Sequence, residues 1–410
     1  MKKIIITCVV GLAIIVAFIF AGGSLSGDDL SPKDENEIKT SIYIAILKNE
    51  DEKVSAAGNQ ETLGYYYANS VKPTVTLDEK EYTLRFIEID SITPDMITPE
   101  TTTSSAKLVI NNRTVSAVLV ADGSEFDSET AGLLSSAGIV ALGAYGTRAL
   151  ALSGTANVYS TCQTEDFQSS TAANYAYGKG YDDAAVVVLV GDAYSRKLAD
   201  GFTTEFERLG GRVTEFSYNT AMKNFENLSQ KIMYSDADMV FMSGNAEFAG
   251  IFVKQARAKG LELPVFGGGS WDTVTLIEDL YGIDKVFFAS AFDGTDSDIK
   301  TSAEFGAKYR SWVLSSTERK KQNGNSSYAA PFSALGYDAY MIVAEAISQT
   351  QSKDPKTISS YISTCSHEGV SGKISFGGGN SASSKIAYMK RIVPFTDTPE
   401  VIQKSSSGKS

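Results

Sequence analysis

The chain has 410 residues, 43% of them apolar, which suits two packed domains better than one and excludes a wholly disordered polypeptide. With 37 basic against 49 acidic side chains, its formal net charge of −12 argues against nucleic acid as a partner. Three cysteines exclude a dense disulfide framework, and a single histidine leaves little from which to build a histidine metal site.

Lys2 and Lys3 precede an uncharged apolar run from Ile4 to Ala21, the pattern of an export segment. The run serves equally as a signal cleaved near Ala21 to Gly23 or as a membrane tether through residues 4–21. Residues 1–23 are assigned to it, and the polar, aperiodic residues 24–40 to a flexible tether. Display at the periplasmic or extracellular face of the cell membrane is the expected consequence. Of the cysteines beyond the export segment, Cys162 and Cys365, one mutual bridge is open.

From Ser41 onward, short β-rich runs alternate with amphipathic stretches: residues 41–47, 82–89, 115–120 and 139–144 read as strands. The rhythm restarts beyond a polar stretch around Thr161, with strands at 184–190, 237–243, 263–268 and 285–292. This βαβ pattern implies parallel sheets in two α/β units. Leu198, Phe202, Phe206 and Leu209 form one helical stripe, and Phe225, Leu228 and Ile232 another, so these side chains are expected in the core. A strongly apolar helix at 333–347 and late strands after Gly369 suggest that the C-terminal part returns to both units.

Residues 186–202, VVVLVGDAYSRKLADGF, read as strand, turn and helix, a geometry that offers N–H groups to an anion. A dinucleotide site needs G-x-G-x-x-G, whereas here Gly191 is followed by Asp192, Tyr194, Ser195 and Lys197. No phosphate-binding loop and no nucleophile elbow occur, and His367 reads as a surface-loop residue. The sequence thus offers no parts for an enzyme, no cofactor and no metal ligands.

Several linked segments resemble the type 1 periplasmic (extracellular) solute-binding proteins of the branched-chain amino acid (Leu/Ile/Val) family, components of ABC importers. They are GDAYSRKLADGFTTEFERLGGRV, NFENLSQKI, ADMVFMSGNAEFAGIFVKQARAKGLELPVFGGGSWD, ALGYDAYMIVAEAI and GVSGKISF. The resemblance implies two Rossmann-like α/β lobes with parallel sheets, joined by a three-strand hinge with crossings near Thr161, Ala291 and Phe376. Lobe 1 would comprise 41–160 and 292–375, and lobe 2 would comprise 161–291 and 376–400. Residues 401–410 would be a disordered tail.

The same resemblance places ligand contacts at Ser124 and Glu125, at Tyr145 and Thr147, at Tyr194, at Asn245, and at Gly269 and Trp271. Gly269 stands where the family has an acid for the ligand's ammonium group, so Glu125, Glu247 or Asp272 would have to replace it. Trp271 either walls the pocket or packs beneath it, and Arg148 either assists or faces solvent. The implied function is non-enzymatic: a small polar solute, an amino acid or a related compound, is trapped by hinge closure and handed to an ABC permease. A ligand-sensing module for a separate membrane receptor is the alternative, and a nucleotide-dependent α/β enzyme is the least favoured.

Overall fold

The structure, a computed structural model, describes residues 40–49, 56–90, 99–112, 114–124, 126–376, 379–382 and 386–406. The expected export segment, the tether up to residue 39, and Glu125 lie outside these residues. Among the described residues no helix is long and apolar enough to cross a membrane.

The first unit runs β1 (Ser41–Lys48), α1 (Ala56–Val71), β2 (Thr74–Leu77), β3 (Lys80–Asp90), α2 (Pro99–Asn111), β4 (Val115–Val120), α3 (Ser128–Ser136), β5 (Ala141–Gly143), α4 (Arg148–Leu152) and β6 (Val158–Ser160). Its sheet has the order β2-β3-β1-β4-β5-β6, parallel except for the β2–β3 hairpin. Every residue of β4 is buried, which is why its run is continuous rather than alternating: helices cover both faces of a parallel sheet.

The second unit follows with α5 (Glu165–Gly178), β7 (Asp183–Leu189), α6 (Ala193–Arg208), β8 (Arg212–Tyr218), α7 (Glu226–Met233), β9 (Met239–Met242), α8 (Ala246–Ala258), β10 (Val265–Gly267), a 3-10 turn (Gly269–Trp271), α9 (Val274–Asp279) and β11 (Val286–Ser290). The expected stripes are core: Leu198, Phe202, Phe206, Phe225 and Ile232 are buried, and Phe202 stacks on Phe241 at 4.0 Å. Leu209, the last of its stripe, is only partly buried.

The chain then returns to lobe 1 through α10 (Lys300–Leu314), α11 (Thr317–Gln322), α12 (Pro331–Thr350), α13 (Pro355–Ile362) and the hairpin of β12 (Ser366–Gly369) and β13 (Gly372–Ser375). Helix α12 packs backbone-close on α1. A methyl group at Gly64 would stand 2.2 Å from the Ser333 carbonyl oxygen, and one at Gly336 would stand 2.5 Å from that of Glu61. Finally β14 (Ile386–Arg391) and β15 (Glu400–Ser406) join lobe 2, whose order is β15-β14-β11-β10-β9-β7-β8.

Four details differ from the expectations. Residues 400–406 form a strand antiparallel to β14, so the segment assigned to a disordered tail is largely an edge strand; its polar residues hid it, although Ile402 packs on the lobe 2 core. Phe376 belongs to the lobe 1 core with Ala382, and Ser160 pairs with Ser381, so packing on lobe 1 continues past the expected third crossing at Phe376. Cys162 and Cys365 are both buried thiols that form no disulfide, the first packed among Ala144, Ala291 and Leu335 where the lobes meet. His367 lies on β12 rather than in a loop, its Nδ1 2.5 Å from Glu345 Oε2.

Candidate ligand-binding cleft

The parallel strands of both sheets direct their C-terminal ends toward one cleft between the lobes, where open α/β sheets generally bind ligands. Its volume is about 620 Å³. Lobe 1 contributes Asp122 after β4, Tyr145 and Arg148 after β5, and Phe332 at the start of α12. Lobe 2 contributes Glu165 from α5, Tyr194 and Lys197 from α6, Asn245 before α8, and Ser270 before α9.

The turn that delivers Tyr194 is built locally. Gly191 adopts a φ of 83°, which side chains rarely tolerate, and turns the chain out of β7. Asp192 then caps α6, its carboxylate accepting the Ser195 N–H at 2.6 Å. Asn245 does the same for α8, accepting the Phe248 N–H at 3.2 Å while lining the cleft. Both caps place the following residues at the cleft edge.

Arg148 lies at the centre. Its side chain is 5% exposed, its Nε is 2.9 Å from Glu165 Oε1, and its guanidinium carbon is 5.3 Å and 5.0 Å from the ring centroids of Tyr145 and Tyr194. Nη1 and Nη2 are buried without a hydrogen-bond partner among the described residues, as is Glu165 Oε2, which has Lys197 Nζ 3.8 Å away. Burial alone would weaken the charge, yet Cys162, Glu165 and the two tyrosines hold the Arg148 pKa above its ordinary value. Burial likewise pushes the Asp122 carboxyl up to about 6, against the pull of the Gly123 N–H and of Arg148. Tyr145 stacks on Phe332 at 4.4 Å, giving the cleft one aromatic wall.

The other expected contacts fall differently. Ser124 donates its hydroxyl to the Ala121 carbonyl at 2.6 Å and does not line the cleft. Thr147 is fully buried and donates its hydroxyl to the Tyr159 carbonyl at 2.7 Å, and it is not part of the cleft lining. Trp271 is fully buried in the lobe 2 core, its indole N–H donating to the Gly244 carbonyl; it packs beneath the cleft. The space beside Gly269 is filled, since a side chain there would start 2.8 Å from Gln168 Oε1 and 2.9 Å from the Tyr145 hydroxyl.

Neither of the two replacement acids that the structure describes stands deep in the cleft. Asp272 is committed to a buried ion pair with Lys390 at 2.8 Å, Glu247 lies at the rim near Lys223, and Glu125 is outside the described residues.

A family model described as Periplasmic binding protein matches residues 87–392. The chain belongs to the periplasmic binding protein family. Among curated relatives, the Leu/Ile/Val-binding protein homolog 3 of Brucella melitensis is 28% identical over 118 residues, 28% of this chain and 32% of that protein. Homolog 1 of Brucella abortus is 26% identical over 113 residues, 27% of this chain and 30% of that protein. The matched segment thus spans about a third of each relative's length.

Among solved structures, the leucine binding protein LivK of Thermotoga maritima has a TM-score of 0.71 at 22% identity, covering 89% of this chain and 98% of that one. LivJ of Streptococcus pneumoniae, in complex with isoleucine, has 0.70 at 18% identity, with 89% and 99% covered. A solute binding protein of R. palustris, in complex with 4-hydroxybenzoate, has 0.72 at 17% identity, with 90% and 98% covered. At these identities the likeness establishes the two-lobed fold.

Within this periplasmic binding protein, sequence reasoning singled out Tyr145, Tyr194 and Asn245, which the fold brings to the cleft. It left Arg148 undecided and passed over Glu165, Lys197 and Phe332. One signal was available for Arg148, an arginine in the first turn after a buried strand; Glu165 carried none, because only folding pairs it with Arg148.

Proposed function

We propose that this periplasmic binding protein is the exported substrate-binding component of an ABC transporter. It holds a small carboxylate-bearing solute, an amino acid or a related acid, between its lobes and presents it to a membrane permease. The observation that carries this reading is the Arg148 guanidinium, which belongs to the cleft lining and whose two terminal nitrogens are buried with no hydrogen-bond partner among the described residues. A planar guanidinium matches a carboxylate edge to edge, and burial strengthens the charge-assisted bonds. Tyr145, Tyr194 and Asn245 complete the proposed contacts, and lobe closure about the hinge excludes water. The similar structures named for leucine or holding isoleucine and 4-hydroxybenzoate support the ligand class, since all three compounds carry a carboxylate.

The test is a thermal-shift panel of leucine, isoleucine, benzoate and 4-hydroxybenzoate, each beside the amide in which the carboxylate is replaced by a neutral carboxamide. A bound acid at about a hundredfold excess over its Kd adds about 2.7 kcal/mol of stability, and the amides add little. Acids and amides responding alike would remove the carboxylate reading. Arg148→Gln should weaken an acid that binds by about tenfold to a hundredfold, as expected for a lost hydrogen-bonded charge. Tyr194→Ala should cost about fivefold in the same titration, through lost ring contact.

A further inference from the structure

Behind the lobe 1 turns lies a buried acid that the ligand reading does not use. Glu61, on α1, is fully buried. Its Oε1 is 2.7 Å from the Ala144 N–H nitrogen and 2.7 Å from the Tyr65 hydroxyl, and its Oε2 is 3.1 Å from the Asp122 N–H nitrogen. The Tyr65 hydroxyl is also 3.1 Å from the Val120 carbonyl oxygen. Val120 ends β4, Asp122 lies in the cleft turn that follows, and Ala144 immediately precedes Tyr145. One carboxyl group therefore spans both lobe 1 turns that face the ligand.

The proton count singles out one protonation state. Tyr65 has one hydroxyl hydrogen and two acceptors beside it, Glu61 and the Val120 carbonyl. If Glu61 carries a proton, every group is served: Glu61 donates to Tyr65, Tyr65 donates to Val120, and the Ala144 and Asp122 N–H groups donate to the two carboxyl oxygens. If Glu61 is ionised, Tyr65 must serve either the carboxylate or Val120. Burial favours the neutral form as well, pushing this carboxyl up to about 8 against the opposing hydrogen bonds from Ala144 and Tyr65.

We propose that Glu61 is held as a neutral acid that, with Tyr65, positions the two lobe 1 turns facing the ligand, and that removal of its proton is felt in those turns. This rests on the reading of the cleft given above. The titratable groups facing Glu61 are Tyr65 on its own helix and Asp122 on the β4 turn; β5 presents backbone, and α12 presents Gly336. Because folding raises this pKa, the native chain holds the proton more tightly than the unfolded one. The contribution to stability is complete below the usual glutamate range and is lost as pH rises toward 8.

The experiment is a pH titration of the ligand-free chain by nuclear magnetic resonance, following the amides of Ala144, Asp122, Tyr145 and Arg148 and the carbonyl carbon of Val120. All should move with a shared midpoint near 8, with Asp122 adding a separate step near 6 from its own carboxyl. Flat signals, or a shared midpoint in the ordinary carboxylate range of about 4 to 5, would overturn the neutral acid. Motion confined to Ala144 and Asp122, with Tyr145 and Arg148 still, would overturn the positioning role.

Glu61→Gln should abolish the shared step; its amide nitrogen has no lone pair for an incoming N–H, so Tyr65→Phe serves if that variant does not fold. Tyr65→Phe should keep the amide step and lose the Val120 response, and a persisting Val120 response would remove the relay. No ligand is needed, so an unresponsive acid panel would refute the proposed function while leaving this result standing.

Discussion

Gly64→Ala is expected to destabilise lobe 1 by about 3 kcal/mol or more, beyond what most overpacked cores lose. The added methyl would stand 2.2 Å from the Ser333 carbonyl oxygen and 2.9 Å from the Tyr337 backbone nitrogen. Both atoms are backbone of α12, so no rotamer change relieves the contact and the two helices must part. That separation would open the core around Ile44, Tyr65, Tyr340 and Val343. Gly132→Ala is the control, because nothing lies within 4 Å of the new methyl in α3. There the helix should gain up to about 1 kcal/mol from lost glycine freedom. Urea unfolding of both variants measures the difference, and a Gly64→Ala midpoint equal to that of the parent chain would refute the close crossing.

Lys390→Met should cost roughly 3 to 5 kcal/mol, the range for stranding one half of a buried ion pair. Lys390 is 2% exposed and Asp272 is fully buried, with Nζ 2.8 Å from Asp272 Oδ2. Ser290 donates to the same oxygen at 2.6 Å, and the Tyr328 hydroxyl donates to Oδ1 at 2.8 Å while accepting from Lys390 at 2.8 Å. Tyr328 precedes α12 of lobe 1, whereas Asp272 and Lys390 belong to lobe 2, so the network also joins the lobes. Adding Asp272→Asn to Lys390→Met removes the stranded charge and should restore at least half of the loss. A double variant no more stable than the single one would show that packing of the lysine stem, rather than charge, sets the cost.

Most of the architecture was legible because parallel sheets leave a coarse signature. Buried runs such as residues 117–120 and 184–189 are apolar on both faces, and the stripe of Leu198, Phe202 and Phe206 has helical spacing. What escaped was structure set by distant partners. Strand β15 has a polar sequence and exists because β14 offers it an edge, and Ser381 stays with lobe 1 because it pairs with Ser160.

The site divides in the same way. Tyr194 and Asn245 sit beside strand-to-helix turns whose caps are written locally, so motif reasoning reached them. Thr147 and Trp271 occupy motif positions too, but their polar atoms are taken by the carbonyls of Tyr159 and Gly244. Arg148 draws its significance from Glu165, seventeen positions later and across the hinge, a pairing that no local pattern encodes.

The interleaving of the lobes sets an order of assembly. Helix α1 lies near the start of the described chain, yet the surface it buries comes from α12, after the whole contiguous block of lobe 2. As the polypeptide emerges from its N-terminus, the lobe 2 sheet can gather β7 to β11 while the apolar side of α1 still awaits its cover. Closing so long a loop is slow, and an uncovered helix face invites association with other chains. The vulnerable period in the life of this protein is therefore the interval between completion of the first sheet and arrival of residues 331–350, when it is exposed to capture by chaperones or by its own copies.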